Sequence, residues 1–208
     1  MALILTVLAV FVLLVSSEIW WRRRVGHGEF SRKFIHITVG SFVAVWPFYL
    51  SWSQIEILSV AFLLVVIVSK YLGVFQAIHS VQRPTWGEVF FGAAVGLTAL
   101  LTHNKWIYCA ALLQMSLADG MAAVVGTRFG THKQYLVFGH AKSVVGTMTF
   151  FVVSLSILII FNHHLPSELA PAQIIGLSLV ASVLENIGVQ GLDNLLVPVL
   201  IAVALVNI

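Results

Sequence analysis

Apolar stretches follow one another along almost the whole chain, separated by short polar connections. Runs rich in Leu, Val, Ile, Ala and Phe occupy residues 2–21, 34–50, 54–75, 88–102, 106–126, 144–162, 172–187 and 192–208. Stretches of about 17–25 apolar residues match the hydrocarbon thickness of a bilayer, so the pattern predicts an all-α, polytopic transmembrane bundle of about 7–8 spans. The fourth stretch and the last two are short, which leaves re-entrant or tilted segments open. Three connections are longer and polar: 21–33, 76–87 and 127–143. The expected division is a first span with a basic connector over 1–30 and a catalytic transmembrane core over 31–208.

Composition agrees with the pattern. The 208 residues are 60% hydrophobic and 9% charged, with a mean hydropathy of +1.01. A water-soluble core of this size would leave much of that surface exposed, and such patches bind membranes or aggregate. The first apolar run has no Lys or Arg before it and is followed by Arg22-Arg23-Arg24. A secretory signal has the reverse order, so an uncleaved first span is expected. The lone Cys109 excludes an internal disulfide and reads as a small buried hydrophobe.

Charge then orients the bundle. If the spans alternate, all of the 11 Lys and Arg except Lys105 fall on one side. The positive-inside rule makes that side cytoplasmic and puts the N-terminus outside. Basic residues distributed between spans suit membrane lipids as partners and argue against nucleic acid. The same alternation brings Glu88, Asp119, Glu185 and Asp193 to the inner ends of their spans, where they can meet.

Asp119 is the only formal charge within residues 106–125. A carboxylate facing lipid there costs about 2.5–3.5 kcal/mol, so it marks a candidate site. It stands in Asp119-Gly120-Met121-Ala122-Ala123-Val124-Val125-Gly126-Thr127-Arg128-Phe129-Gly130, where small residues share one helix face and Arg128 follows. A carboxylate beside an approachable backbone, with an Arg near it, suits a metal-bound polyphosphate. A small-residue packing face with Asp119 paired to a structural cation explains the same letters.

Three further groups share this dual character. Arg32, His36 and Gly40 recur every four residues beside Lys33, which puts cations at a membrane boundary with an imidazole one turn deeper; snorkelling flanks and a core histidine are the plainer account. Lys142-Ser143-Val144-Val145-Gly146-Thr147 opens an apolar helix, where Ser143 can cap and Lys142 can meet an anion, or merely snorkel. Glu185-Asn186 and Asp193-Asn194 flank a glycine-containing break whose oxygen ligands suit Mg²⁺, although such residues also make a tight turn. Gly92 and Gly96 read as packing contacts. Trp20, Trp21, Trp46, Trp52, Trp86 and Trp106 read as interfacial anchors, and His163-His164 as a pair without nearby acids.

In order along the chain, Arg32-Lys33-x-x-His36-x-x-x-Gly40, the Asp119–Gly130 motif, Lys142-Ser143-x-x-Gly146-Thr147 and Asp193-Asn194-x-x-x-Pro198 resemble the CTP-dependent lipid-alcohol kinases, which include dolichol kinase, phytol kinase and a CTP-using diacylglycerol kinase. The middle two motifs are also similar to those of phosphatidate cytidylyltransferases. The resemblance implies a cytoplasm-facing site for CTP and Mg²⁺, with a lipid alcohol as acceptor. Two positions depart from the family pattern: Val145 stands where a Glu is usual, and Leu192 where an acid often precedes Asp193.

The resulting expectation is a membrane kinase moving the γ-phosphoryl group of CTP to a long-chain, isoprenoid-type alcohol. Asp119, Asp193 and Glu185 are the expected metal ligands. Arg128, Lys142 and Lys33 are expected to neutralise phosphate, and His36 to accept the alcohol proton or orient Arg32. Arg32, Lys33, Gly120, Gly126, Gly130, Ser143, Gly146, Thr147 and Asn194 make up the expected nucleotide site. The alternatives are a CTP:lipid-phosphate cytidylyltransferase and a small cation-coupled transporter.

Overall fold

The computed structural model describes residues 1–23, 29–72 and 85–208; the side chains of residues 17, 18, 20–23, 29–32 and 70 are not described. Expectations for Arg24 and Arg83, and for the side chains of Trp20, Trp21, Arg22, Arg23, Arg32 and Lys70, lie outside the described residues.

Among the described residues, eight helices correspond to the eight apolar stretches. They are α1 (Ala2–Arg23), α2 (Glu29–Ala44), α3 (Trp52–Leu72), α4 (Gly87–Leu101), α5 (Lys105–Phe129), α6 (Val144–Asn162), α7 (Pro171–Ile187) and α8 (Asp193–Val206). The second helix departs most from the expected 34–50. It begins earlier and stops at Ala44, and a 3₁₀ turn over Trp46–Phe48 follows. Pro47 explains the stop, because proline lacks an amide hydrogen and biases the residue before it away from the helical region. Among the described residues three helices, α3, α5 and α6, are long and apolar enough to cross a membrane, and shorter apolar helical stretches run over Ala2–Ser16, Lys33–Phe48, Gly87–Leu101, Pro171–Ile187 and Asp193–Val206.

The fold is all-α as expected, and the polar connector 127–143 adds one short strand pair to it. The connector carries a hairpin of β1 (Gln134–Val137) and β2 (His140–Ser143), antiparallel with Gln134 opposite Ser143 and Val137 opposite His140. Its two-residue turn has positive φ at Phe138 (47°) and Gly139 (78°), the backbone that matches the right-handed twist of a hairpin. Asn-Gly or Asp-Gly would have announced this turn; Phe-Gly does not.

Helix α5 is the central pillar. Of its residues 67% are buried, against 22% over Trp52–Ser69 of α3 and 28% of α6. Asn104 caps it, accepting from the amides of Trp106 and Ile107 at 2.9 and 3.3 Å. On one side Tyr108, Leu112 and Met115 pack with residues of α2, α3 and α4. On the other, Ile107, Ala111 and Ala118 pack with α6, α7 and α8. The outward faces of α3, α6 and α7 expose Ile57, Leu64, Val152, Ile160, Leu179 and Val183, as a lipid-facing surface requires.

Small residues let the helices approach. A Cβ on Gly92 would press on Phe62 and Leu63, and one on Gly96 on Ser59, so both glycines close the α3–α4 seam as expected. The described tryptophans lie at or near helix ends, Trp106 stacking on His164 with ring centroids 4.2 Å apart. His163 does have an acid beside it, contrary to expectation: its Nδ1 lies 2.7 Å from a Glu168 carboxylate oxygen. Asp119 lies ten residues, or about 15 Å of helix, before the end of α5 at Phe129.

The break between α7 and α8 is pinned to the start of α4. Gln190 (φ 58°) and Gly191 (φ 88°) adopt left-handed backbone. The Gln190 carbonyl accepts from the Trp86 amide at 3.1 Å and from the Thr85 hydroxyl at 3.1 Å, and the Asn194 amide donates to the Gly87 carbonyl at 2.9 Å. A Cβ on Gly191 would collide with the Gly87 backbone. Gly191→Ala is therefore expected to destabilise the bundle by about 2–4 kcal/mol, combining left-handed strain with overpacking. Thermal unfolding in detergent checks this, and an unchanged midpoint would refute the close approach.

Candidate active site

A cleft of about 260 Å³ opens where α2, α5, the hairpin, α6, α7 and α8 converge. Asp119, Glu185 and Asp193 meet there, with a ligand oxygen from each lying within 4.8 Å of the others. Each reaches the cluster from a different element. Asp119 follows a one-turn π-helix, Gln114–Ala118, set inside α5. Glu185 lies in the last turn of α7, and Asp193 opens α8 after the glycine-containing break.

The π turn has a local consequence. It carries the Asp119 amide past Met115, its ordinary helical partner, to the Gln114 carbonyl. His36 Nε2 lies 3.0 Å from the Met115 carbonyl oxygen. A carbonyl only accepts, so Nε2 carries the proton in that contact. The same nitrogen is 3.5 Å from Asp119 Oδ2.

Two lysines balance the acids. Lys33 Nζ is 2.5 Å from Asp119 Oδ2, with both side chains buried. Lys142 Nζ is 2.5 Å from Glu185 Oε1 and donates also to the Glu185 carbonyl at 3.0 Å. Burial of the Lys142 ammonium acts to lower its pKa, but the carboxylates of Glu185, Asp193 and Asp119 together outweigh this and hold it above the ordinary lysine value. A raised lysine pKa stabilises the fold at all pH values below the unfolded lysine pKa. The contribution is lost only as pH climbs through the higher, folded value.

Serine and glycines shape the opposite wall. Ser143 caps α6, its hydroxyl accepting from the Gly146 amide at 3.0 Å. Gly126, Gly130 and Gly146 crowd the same hydroxyl, and a Cβ on Gly126 would also sit 3.2 Å from the Gly146 Cα. The positive end of the α6 dipole thus faces the cleft beside Lys142. The Tyr135 and Thr147 hydroxyls and the Asn186 side-chain oxygen lie within hydrogen-bond reach of one another, and the two hydroxyl protons serve the three contacts between them.

Of the residues singled out from sequence, the cleft wall contains Lys33, Asp119, Gly126, Lys142, Ser143, Gly146, Thr147, Glu185, Asp193 and Asn194. His36 lies behind Asp119. Gly120 packs against Ile37, and Gly130 against Ser143. Arg128 is exposed, its guanidinium 5.5 Å from the Phe129 ring centroid, and it does not line the cleft. The Arg32 side chain is outside the described residues, and Glu88 is not in the cleft wall.

Thr85, Gln134, His140 and Gln190 line the cleft without having been singled out, and the Tyr135 contacts with Thr147 and Asn186 were not anticipated either. The hairpin residues follow no apolar periodicity and lack a standard turn dipeptide. Thr85 and Gln190 are joined across the fold, which no local pattern records.

A helical membrane protein with an acid- and lysine-lined interior cleft is the class these features define. No family model matches the chain, and no solved structure matches it. A phytol kinase from Synechocystis sp. is 30% identical over 191 residues, covering 88% of this chain and 81% of that protein. The chain belongs to the lipid-alcohol kinase family.

Removing one partner of the Lys142–Glu185 pair leaves a buried charge uncompensated. Lys142→Met is therefore expected to cost about 3–5 kcal/mol of stability. The double variant Lys142→Met with Glu185→Leu is expected to recover most of it, as read by thermal unfolding in detergent. A single variant as stable as the parent would contradict the pairing.

Proposed function

We propose that this lipid-alcohol kinase transfers the γ-phosphoryl group of CTP to the hydroxyl of a long-chain isoprenoid alcohol of the phytol, polyprenol or dolichol kind. The site faces the cytoplasm in a bundle of seven or eight spans with its N-terminus outside, and residues 31–208 form the catalytic core. The main support is the convergence of three carboxylates and two lysines on one cleft, together with the family's reaction. The phytol kinase relative supports an isoprenoid acceptor. CTP and Mg²⁺ come from the motif resemblance.

The cluster fits a hard divalent cation. Its donors are all carboxylate oxygens, the ligand type Mg²⁺ prefers. Among the described residues, buried Asp193 Oδ1 has no hydrogen-bond partner, which is an acceptor waiting for a positive charge. Asp119, Glu185 and Asp193 would hold Mg²⁺, which supplies neutralisation of the phosphate oxygens during transfer.

Phosphoryl transfer asks the protein mainly for position and charge. Lys33 and Lys142 turn from their carboxylate partners toward the triphosphate. The α6 N-terminus, kept open by Gly126 and Gly146, receives phosphate oxygens on its backbone. His36, with its Nε2 proton directed to Met115 and Asp119, holds the Asp119 carboxylate in place. Asn194 fixes the α8 entry that carries Asp193.

Asp119→Asn is expected to lower lipid phosphorylation by about 10²–10³-fold while the protein still inserts and folds. The assay uses purified protein, labelled CTP and a panel of phytol, polyprenol, dolichol and diacylglycerol. Full activity in the variant would refute the metal-ligand role. Label from γ-labelled CTP appearing in the lipid supports kinase chemistry, whereas label released in pyrophosphate overturns it in favour of cytidylyl transfer.

A further inference from the structure

The hairpin that carries Lys142 and Ser143 to the cleft has little apolar hold on the bundle. Within its two strands and turn, residues 134–143, Ser143 alone is buried, and the side chains best able to make a hydrophobic anchor, Leu136 and Phe138, are 74% and 75% exposed. A two-stranded hairpin is marginal by itself in water. Its place therefore depends on polar ties. The Val144 amide donates to the Lys133 carbonyl at 3.1 Å where the hairpin meets α6, and Ser143 caps that helix. The other two ties are side-chain links, Lys142 to Glu185 and Tyr135 to Thr147 and Asn186.

These two links run side by side. Tyr135 of β1 stands opposite Lys142 of β2 in the strand register, and Asn186 directly follows Glu185 on α7. The Asn186 amide nitrogen donates to the Ser182 carbonyl at 2.8 Å. That orientation leaves its side-chain oxygen to accept from the hydroxyls, Thr147 standing 3.2 Å away. The hairpin is thus joined to the end of α7 twice, once through a charged pair and once through neutral hydrogen bonds. Only the charged link has a second task. The kinase reading takes Lys142 from Glu185 to phosphate and Glu185 to the cation, so that link is dissolved when the nucleotide binds. Tyr135 and Asn186 are not part of the cleft wall, and their link can persist throughout.

Resting on the kinase reading above, we propose that Tyr135 is a positioning residue for Lys142. Its hydroxyl keeps β1, and through the strand pairing β2, against α6 and α7 while Lys142 exchanges Glu185 for a phosphate oxygen. Lys142 then changes partner by rotation of its side chain alone, and Ser143 stays at the head of α6. Without the link, the incoming nucleotide must order the hairpin itself, and the cost of that ordering is subtracted from its affinity.

Tyr135→Phe tests this in the full chain, because it keeps the ring and removes the hydroxyl while Thr147 retains its own bond to Asn186. Equilibrium binding of labelled CTP with Mg²⁺ is expected to weaken about five- to tenfold, the scale of one neutral hydrogen bond. KM for phytol and the unfolding midpoint in detergent should stay at their parent values. Hydrogen exchange over residues 134–143 of the nucleotide-free variant should run several-fold faster, with exchange in α6 and α7 unchanged. Exchange at the parent rate, or equal weakening toward phytol and CTP, would overturn the proposal. In a Lys142→Met background Tyr135→Phe should cost no further nucleotide affinity; a full additional loss overturns the action through Lys142, and the exchange measurement decides should that background unfold. A parent protein that binds CTP and shows these effects yet phosphorylates no alcohol sinks the kinase reading alone. A working kinase whose Tyr135→Phe variant binds CTP normally sinks the positioning role alone.

Discussion

Three carboxylates whose ligand atoms lie within 4.8 Å of one another, enclosed by helices, repel each other and lose hydration at the same time. The architecture around them answers that cost. Lys33 comes from α2 to Asp119 and Lys142 from β2 to Glu185, each at 2.5 Å. Asp193 keeps one buried oxygen unpartnered among the described residues. Replacing such a group with apolar side chains would make a more stable bundle. Its retention in a membrane interior is consistent with chemistry at the site, not with packing.

Holding the cluster requires departures from regular helix at each entry point. The π turn in α5 shifts Asp119 and leaves the Met115 carbonyl near His36. The left-handed pair Gln190 and Gly191 starts α8 so that Asp193 leads it. The hairpin delivers Lys142 and Ser143 to the head of α6, and the Tyr135 hydroxyl ties it to α6 and α7 through Thr147 and Asn186. These irregular segments expose backbone polar groups, which a membrane protein tolerates where they are buried in protein or line a cavity.

The family's reaction joins a nucleotide with a lipid alcohol, partners that prefer different solvents. Polar and charged side chains gather around Asp119 in the cleft, whereas the outward helix faces present apolar carbon. Asp119 itself stands well short of the end of α5. The exposure of Arg128 is informative in the same way. A motif residue can stand next to the site in sequence and still point away from it, because two helix positions differ by about 100° in direction per residue.

Sequence by itself determined where the helices lie, because hydropathy acts locally and each stretch of lipid-length apolar residues folds its own hydrogen bonds. It also singled out Asp119, Glu185 and Asp193, since a charge in an apolar run or beside a helix break stands out without knowledge of its neighbours. Tertiary structure decided what no local pattern contains. Lys33 pairs with Asp119 across 86 positions and Lys142 with Glu185 across 43, Thr85 meets Gln190 across 105, and Arg128 turns outward. The π turn and the Phe138-Gly139 hairpin belong to the same category. Their backbone geometry is unfavourable or unmarked in isolation and is held by contacts that exist only once distant helices have packed.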